Sequence, residues 1–229
     1  MMYSKKTLVG FTKKAHETIQ EYMNKPLSDL HVHISQGNAK IGKVHNFSIM
    51  PVITCNNCAN CAAYCYDVKA CLCYGNVMRA RAENTALLYR CESLMFDQID
   101  RYISSKKTNK FFRWHVGGEL PSVNYFAYIV NIAEKHPDWT FWLYTKMYSI
   151  VNLWCLYYGR NTLPDNLSVM FSEWNGVSMD NRYNFPTFTC VQADMEEPKD
   201  VWKCPGNCDI CKKAHRGCIN GESAYTYEH

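Results

Sequence analysis

The chain has 229 residues, of which 25 are basic and 21 are acidic, and its formal net charge is +4. A charge this small and dispersed does not predict a polyanion partner, so nucleic-acid binding is only a minor alternative. All apolar stretches are far shorter than the ~20 residues of a membrane-spanning helix, which excludes an integral membrane protein.

A single domain over 1–229 is predicted, because this length with 47% hydrophobic residues suits one buried core. Residues 1–46 show helical spacing of apolar residues and then a run of turn formers. Residues 47–192 are predicted to form the core of the domain. Residues 203–229 lack apolar periodicity and are rich in Cys, Gly and Lys, so this metal-binding tail would take its order from a bound metal.

Strands and helices alternate along the predicted core. The predicted strands are 47–54, 111–116, 139–145, 167–172 and 185–191. The predicted helices are 68–90, 94–103, 123–134 and 150–158. This alternation is typical of an α/β fold in which helices cover a parallel sheet and functional residues gather at the carboxyl ends of the strands.

Cysteine is the most informative residue type, with thirteen copies in the chain. Because this number is odd, intramolecular disulfides cannot pair all of them. The first twenty residues include four lysines and show neither the apolar core nor the cleavage site of a signal peptide. We therefore expect a reducing cytoplasm, in which thiols bind metal rather than each other.

The first cysteine set has the spacing of the bacterial ferredoxin run, in which thiolates from one loop hold a 4Fe–4S cluster. It consists of Cys55, Cys58, Cys61 and Cys65. Tyr66 replaces the proline that ferredoxins place after the last cysteine. Cys71 and Cys73 are near enough to replace one ligand, so the spacing does not decide which four cysteines bind. Reduced buried thiols and a zinc site are the alternatives.

The second set lies in the tail and consists of Cys204, Cys208, Cys211 and Cys218. Four sulfurs in so short a segment suit zinc or an iron–sulfur cluster, and spacing separates the two poorly. We favour a cluster here because the first set already indicates that chemistry, and zinc remains the alternative. Cys91, Cys155 and Cys190 are isolated from both sets and are interpreted as core residues.

Several segments resemble the gene product 88 family of phages and plasmids. The matching segments are Gly37–Gly42, Phe47–Ile49, Thr54-Cys55, Cys65-Tyr66, Arg113–Glu119, Phe141–Lys146, Leu163–Leu167 and the cysteine-rich tail. The resemblance implies a protein of phage or mobile-element type. It would act in the cytoplasm of a bacterial host if a phage encodes it.

That family in turn is similar to the radical S-adenosylmethionine enzymes. This second resemblance implies a partial (β/α) barrel-like parallel sheet with helices outside and a cysteine-rich loop after the first strand. It also implies S-adenosylmethionine as a cofactor, contacted by Gly117, Gly118 and Glu119. The Cys-x3-Cys-x2-Cys spacing of those enzymes is absent from the loop and occurs instead at the start of the tail set.

The sequence therefore predicts an iron–sulfur protein with one or two clusters. It would pass electrons to an unknown redox partner, or carry out radical S-adenosylmethionine-like reductive chemistry on a small-molecule substrate, so enzymatic activity is left open. The alternative is a non-enzymatic, zinc-stabilised module that binds nucleic acid or a host protein.

Overall fold

A computed structural model describes residues 2–37, 41–56, 61–174, 178–191 and 195–227. Seven α-helices and eight β-strands lie within these described residues. The helices are α1 (Lys5–Met23), α2 (Tyr66–Cys73), α3 (Gly75–Arg90), α4 (Glu92–Ser104), α5 (Val123–Lys135), α6 (Tyr148–Tyr158) and α7 (Cys208–Ala214). The strands are β1 (Ile34–Ser35), β2 (His45–Phe47), β3 (Phe111–Trp114), β4 (Thr140–Thr145), β5 (Leu167–Glu173), β6 (Thr187–Val191), β7 (Trp202–Lys203) and β8 (Ala224–Tyr227).

The strands form one sheet in the order β1-β2-β3-β4-β5-β6-β8-β7. Neighbouring strands from β3 to β7 run parallel throughout. The predicted mixed α/β fold with a largely parallel sheet is therefore confirmed.

The chain divides into two compact units. The first unit is 1–34, 47–107 and 115–121, and the second is 35–46, 108–114 and 122–229. In the first unit, α3 packs against α1, α2 and α4. The prediction of a single domain over 1–229 stays a prediction.

Polar side chains of α3 hold two extended segments of the first unit in place. Asn84 accepts a hydrogen bond from the backbone N–H of His33 at 2.8 Å and donates one to the carbonyl of Ser48 at 2.8 Å. Thr85 accepts a hydrogen bond from the N–H of Met50 at 2.8 Å. These side chains are buried. The cost of burying them is offset because they pair with backbone groups that have no sheet partner.

In the second unit, the two faces of the sheet have different coverings. Phe171 of β5 contacts Tyr148 of α6, so odd-numbered β5 residues face the helices. Met170 of β5 and Trp142 of β4 lie on the other face, in a core cluster that includes Cys211 and Cys218. Alternation along the strands therefore directs Tyr144, two residues beyond Trp142, toward the tail.

Three expected elements near the cysteine loop were wrong in detail. The strand expected over 47–54 is only β2 plus a turn, since Pro51 starts the turn and Val52 has a left-handed φ of 68°. The helix expected over 68–90 is two helices, because Tyr74 between them is extended. The strand expected over 111–116 ends at Trp114, because His115 has φ 54°.

The tail is more regular than its composition predicts. β7 and β8 both belong to the sheet, and β8 lies between β6 and β7. α7 connects the two tail strands, which pair in parallel, and together they form a β-α-β crossover. Strand pairing therefore helps to hold the tail in a regular conformation, in addition to any contribution from a bound metal.

The turn at 115–121 packs tightly against other segments of the first unit. Gly117 donates its N–H to the Ser48 hydroxyl at 3.1 Å and accepts from the N–H of Ile49 at 3.2 Å. A Cβ at Gly117 would overlap the carboxylate of Asp67. Gly118 has φ +84°, and a Cβ there would lie 2.9 Å from the carbonyl oxygen of Ile49. Both positions therefore need glycine for packing.

We predict that Gly117→Ala lowers the free energy of unfolding by about 1–3 kcal/mol, because the added methyl group must displace Asp67. Gly10→Ala is the matched control, since Gly10 is exposed within α1 and a Cβ there meets nothing within 4 Å. That change should stabilise the protein by about 0.5–1 kcal/mol. Urea unfolding measures both values, and equal effects of the two substitutions would contradict the packing argument.

His115 provides a pH test of the first unit. Burial, together with the positive charge of Arg81, lowers the pKa of His115 to about 3. The unfolded chain takes up this proton near its ordinary pKa of about 6.5, so stability should fall as pH drops from about 6.5 toward 3. Within this range, the free energy of unfolding should fall by about 1.4 kcal/mol for each pH unit.

We predict that His115→Asn, which tolerates the left-handed backbone but does not titrate, loses this slope. Between about pH 7 and pH 5, the wild-type protein should lose about 2 kcal/mol more than the variant does. Urea unfolding at both pH values gives the comparison. Parallel losses in the two proteins would show that His115 is not the group responsible.

Candidate metal centres

The two cysteine sets lie in different units. The loop cysteines (Cys55, Cys58, Cys61 and Cys65, with Cys71 and Cys73 as substitutes) belong to the first unit, and the tail cysteines (Cys204, Cys208, Cys211 and Cys218) to the second. Every cysteine that the structure describes is a free thiol. Cys58 lies outside the described residues.

Cys65 is the loop cysteine that the structure positions most clearly. It precedes α2 as its N-terminal cap residue. Burial raises the pKa of the Cys65 thiol to about 11, while the N–H of Val68 at the start of the helix opposes the shift. The neighbouring charge of Cys61 raises it further, so these two predicted ligands lie within electrostatic range of each other.

Cys71 and Cys73, the two possible substitutes, differ in burial. Burial raises the pKa of Cys71 to about 12, and the charges of Asp67 and Cys65 add to the shift. Cys73, two residues further along α2, is exposed. Of the two substitutes, Cys71 therefore lies near Cys65 in a buried environment, although the choice of four ligands stays open.

A buried ion pair beside the loop cysteines was missed by the sequence analysis. Asp67 of α2 is 1% exposed and accepts two hydrogen bonds from Arg81 of α3, at 3.2 and 3.3 Å. Burial by itself would lower the pKa of Arg81, but the Asp67 carboxylate raises it. A pair fourteen positions apart gives no periodic signal, so only the packing of α2 on α3 reveals it.

Two of the predicted cofactor residues, Gly117 and Gly118, lie close to Asp67 and to the segment before Cys55. A Cβ at Gly117 would overlap the Asp67 carboxylate, and one at Gly118 would lie 2.9 Å from the hydroxyl of Thr54. Glu119 is 8% exposed and accepts a hydrogen bond from the N–H of Leu120 at 2.8 Å. The glycines thus have a packing role within the first unit, and contact with S-adenosylmethionine stays a prediction.

The tail cysteines all lie in the crossover between β7 and β8. The N–H of Cys204, just after β7, donates to the carbonyl of Tyr225 in β8 at 2.8 Å. Cys208 and Cys211 are three positions apart on α7, which places them on the same side of that helix. Cys218 begins a short 3-10 helix. The sheet and α7 therefore bring separated cysteines into one region.

Three of the tail cysteines share one packed cluster. Cys211 and Cys218 are buried in it beside Trp142 and Met170, and Cys208 packs against it. Burial raises the pKa of Cys218 to about 12, opposed by a hydrogen bond from Tyr144 and raised further by the charges of Cys204 and Cys208. Burial also raises the pKa of Cys208, whereas the charge of Arg113 lowers it.

Hydrogen-bond donors from other elements point into this region. The hydroxyl of Tyr144 in β4 donates to the Cys218 sulfur at 2.8 Å. The indole N–H of Trp142 is buried and has no hydrogen-bond acceptor among the described residues. The buried indole of Trp202 donates toward Cys211 and so lowers the pKa that burial of this thiol raises.

Part of the family-like segment at residues 37–42 supports α7. Gly42 has φ +70°, and a Cβ there would overlap the Asp209 side chain. The N–H of Lys43 donates to the same carboxylate at 3.3 Å, and Lys212 donates to the Lys43 carbonyl at 2.7 Å. Gly42 therefore allows the close approach of this segment to the helix that carries Cys208 and Cys211, while Asn38, Ala39 and Lys40 lie outside the described residues.

The described cysteines do not form a ready-made site for a single metal ion. Among the described residues, no group of three or more His, Cys, Asp or Glu side chains is close enough to hold such an ion. The tail cysteines lie within electrostatic range of one another. Also within the described residues, no helix combines the length and apolar character needed to cross a membrane.

Comparison with known proteins identifies the family. The family model of Gene product 88 matches residues 10–201, a range that ends before Cys204. The Gene 88 protein of Mycobacterium phage L5 is 27% identical over 204 residues, which cover 77% of this chain and 80% of the phage protein. No solved structure matches the chain. The predicted resemblance to phage proteins is confirmed, and the chain belongs to the gene product 88 family.

Proposed function

We propose that this protein binds iron–sulfur clusters through the loop and tail cysteines and acts in electron transfer or reductive chemistry. The observation that carries the proposal is the tail site. There, three cysteines share a packed cluster, a fourth lies within electrostatic range, and the buried indole N–H of Trp142 in the same cluster has no acceptor among the described residues.

The donor set fits a metal–sulfur centre in two respects. Buried polar groups are normally hydrogen-bonded, and a metal-bound thiolate or inorganic sulfide would be a strong acceptor for the N–H group of Trp142. In addition, a metal deprotonates its thiol ligands, which would remove the protons that burial otherwise keeps on Cys211 and Cys218.

Charge balance supports the same proposal. A 4Fe–4S cluster with four thiolates carries about two negative charges, and burying these requires positive charge nearby. Arg113 and Lys212 both act on Cys208 as positive charges. The Lys212 side chain is 13% exposed, so solvent screens its charge only partly.

The first unit supports the finer proposal of radical S-adenosylmethionine-like chemistry on a partial (β/α) barrel. The observation that favours it is the packing of Gly117 and Gly118 on the segment that leads into the cysteine loop. When bound, a reduced cluster would supply the electron that cleaves the cofactor. The role of this chain's residues would be to bind the cofactor at Gly117, Gly118 and Glu119 of the first unit.

Metal analysis of protein purified without oxygen tests the main proposal. We expect a brown protein that contains iron and sulfide and absorbs broadly near ~400 nm. Cys211→Ser should remove about half of the iron if both sets carry clusters, because the tail centre loses a ligand. Cys155→Ser should retain all of the iron, because Cys155 is buried in α6 of the same unit but lies outside both sets.

The metal content separates the alternatives. Colourless protein with stoichiometric zinc would support the zinc-stabilised module instead. Folded wild-type protein with neither metal, or equal iron in both variants, would refute the proposed tail centre.

Cofactor cleavage tests the finer proposal. Chemically reduced protein supplied with S-adenosylmethionine should form 5′-deoxyadenosine, and Cys61→Ala should abolish the product because it removes a loop ligand. Cys91→Ala is the control, since Cys91 lies in the first unit outside the predicted set. Iron-containing wild-type protein that forms no product would favour electron transfer.

A further inference from the structure

Two side-chain hydrogen-bond donors near the tail cysteines come from strands of the sheet rather than from α7. Tyr144 lies on the sheet face that the tail covers, and its hydroxyl donates to the Cys218 sulfur at 2.8 Å. Trp202 of β7 places its buried indole beside Cys211. Each donor thus acts on a different cysteine of the tail set.

Packing fixes the position of the Tyr144 ring. The Arg113 guanidinium lies over one side of it, 4.6 Å from the ring centroid. Phe188 of β6 meets the ring edge-on, with the centroids 4.9 Å apart. Because side chains from β3 and β6 hold the ring of this β4 residue, its hydroxyl has little freedom to leave the sulfur, and the hydrogen bond is pre-organised rather than incidental.

Such a hydrogen bond has a definite effect on a metal-bound sulfur. A donor withdraws electron density from the thiolate, so the reduced, more negative state of a cluster is stabilised. A nearby positive charge acts in the same direction, and Arg113 supplies one that acts on both Cys208 and Cys218. Both effects make the centre easier to reduce.

We infer that Tyr144, held in place by Arg113, is a positioning residue that raises the reduction potential of a redox-active centre on the tail cysteines. This inference rests on the proposed function and extends it, because it assigns an electron-accepting role to the tail centre and names the side chains that set its potential. Trp202 would act in the same direction through Cys211.

The test is a redox titration of the purified protein followed by electron paramagnetic resonance, with the tail signal identified by its loss in Cys211→Ser. Tyr144→Phe removes only the hydroxyl and should shift the midpoint of this signal to more negative potential at unchanged iron content. Trp202→Phe should produce a shift of the same sign.

Tyr148→Phe is the matched control. It removes a tyrosine hydroxyl from the same unit, one that donates to the carbonyl of Ser172 at 2.5 Å rather than to a cysteine. A midpoint unchanged in Tyr144→Phe, or shifted equally in Tyr148→Phe, would overturn the inference while the iron content still supports the proposed function. Zinc alone in the tail would also overturn it, and protein without any metal would refute the proposed function itself.

Discussion

The burial of sulfur against one face of a parallel sheet is the constraint on which the arrangement of the second unit depends. Cys211 and Cys218 occupy core positions beside Trp142 and Met170. Polar side chains lie close to these sulfurs, among them Tyr144, Arg113 and Trp202. Because buried polar groups are normally hydrogen-bonded, the pairing of Tyr144 with Cys218 fixes part of this core.

The regular part of this fold was predictable because its signals are local. β4 and α5 appear within a few residues of the predicted bounds, since alternating or helical apolar patterns continue through each of them. The strand expected over 47–54 failed because its apolar residues are buried in a turn, and burial alone resembles a strand pattern. β8 was missed because four residues, Ala224–Tyr227, are too few to show a period.

The candidate sites also combine features that local sequence patterns predict with features that they do not. The cysteine spacings predict two sets of ligands, and three members of the tail set, Cys208, Cys211 and Cys218, share one packed cluster. Metal binding by either set stays a prediction. Asp67 with Arg81, and Tyr144 with Cys218, could not be inferred, because these partners are joined only by tertiary packing. Gly117 and Gly118 were singled out as cofactor contacts, while their visible role is close packing against Asp67 and Ile49.

The position of β8 between β6 and β7 has a kinetic consequence. The tail cysteines lie on the crossover that joins β7 to β8. Both ends of that segment are therefore held by backbone hydrogen bonds between strands. Once β8 has inserted, a large movement of the segment that carries these cysteines requires local opening of the sheet edge, which is slow compared with side-chain motion. Rearrangement of the tail cysteines is therefore coupled to the assembly of the sheet.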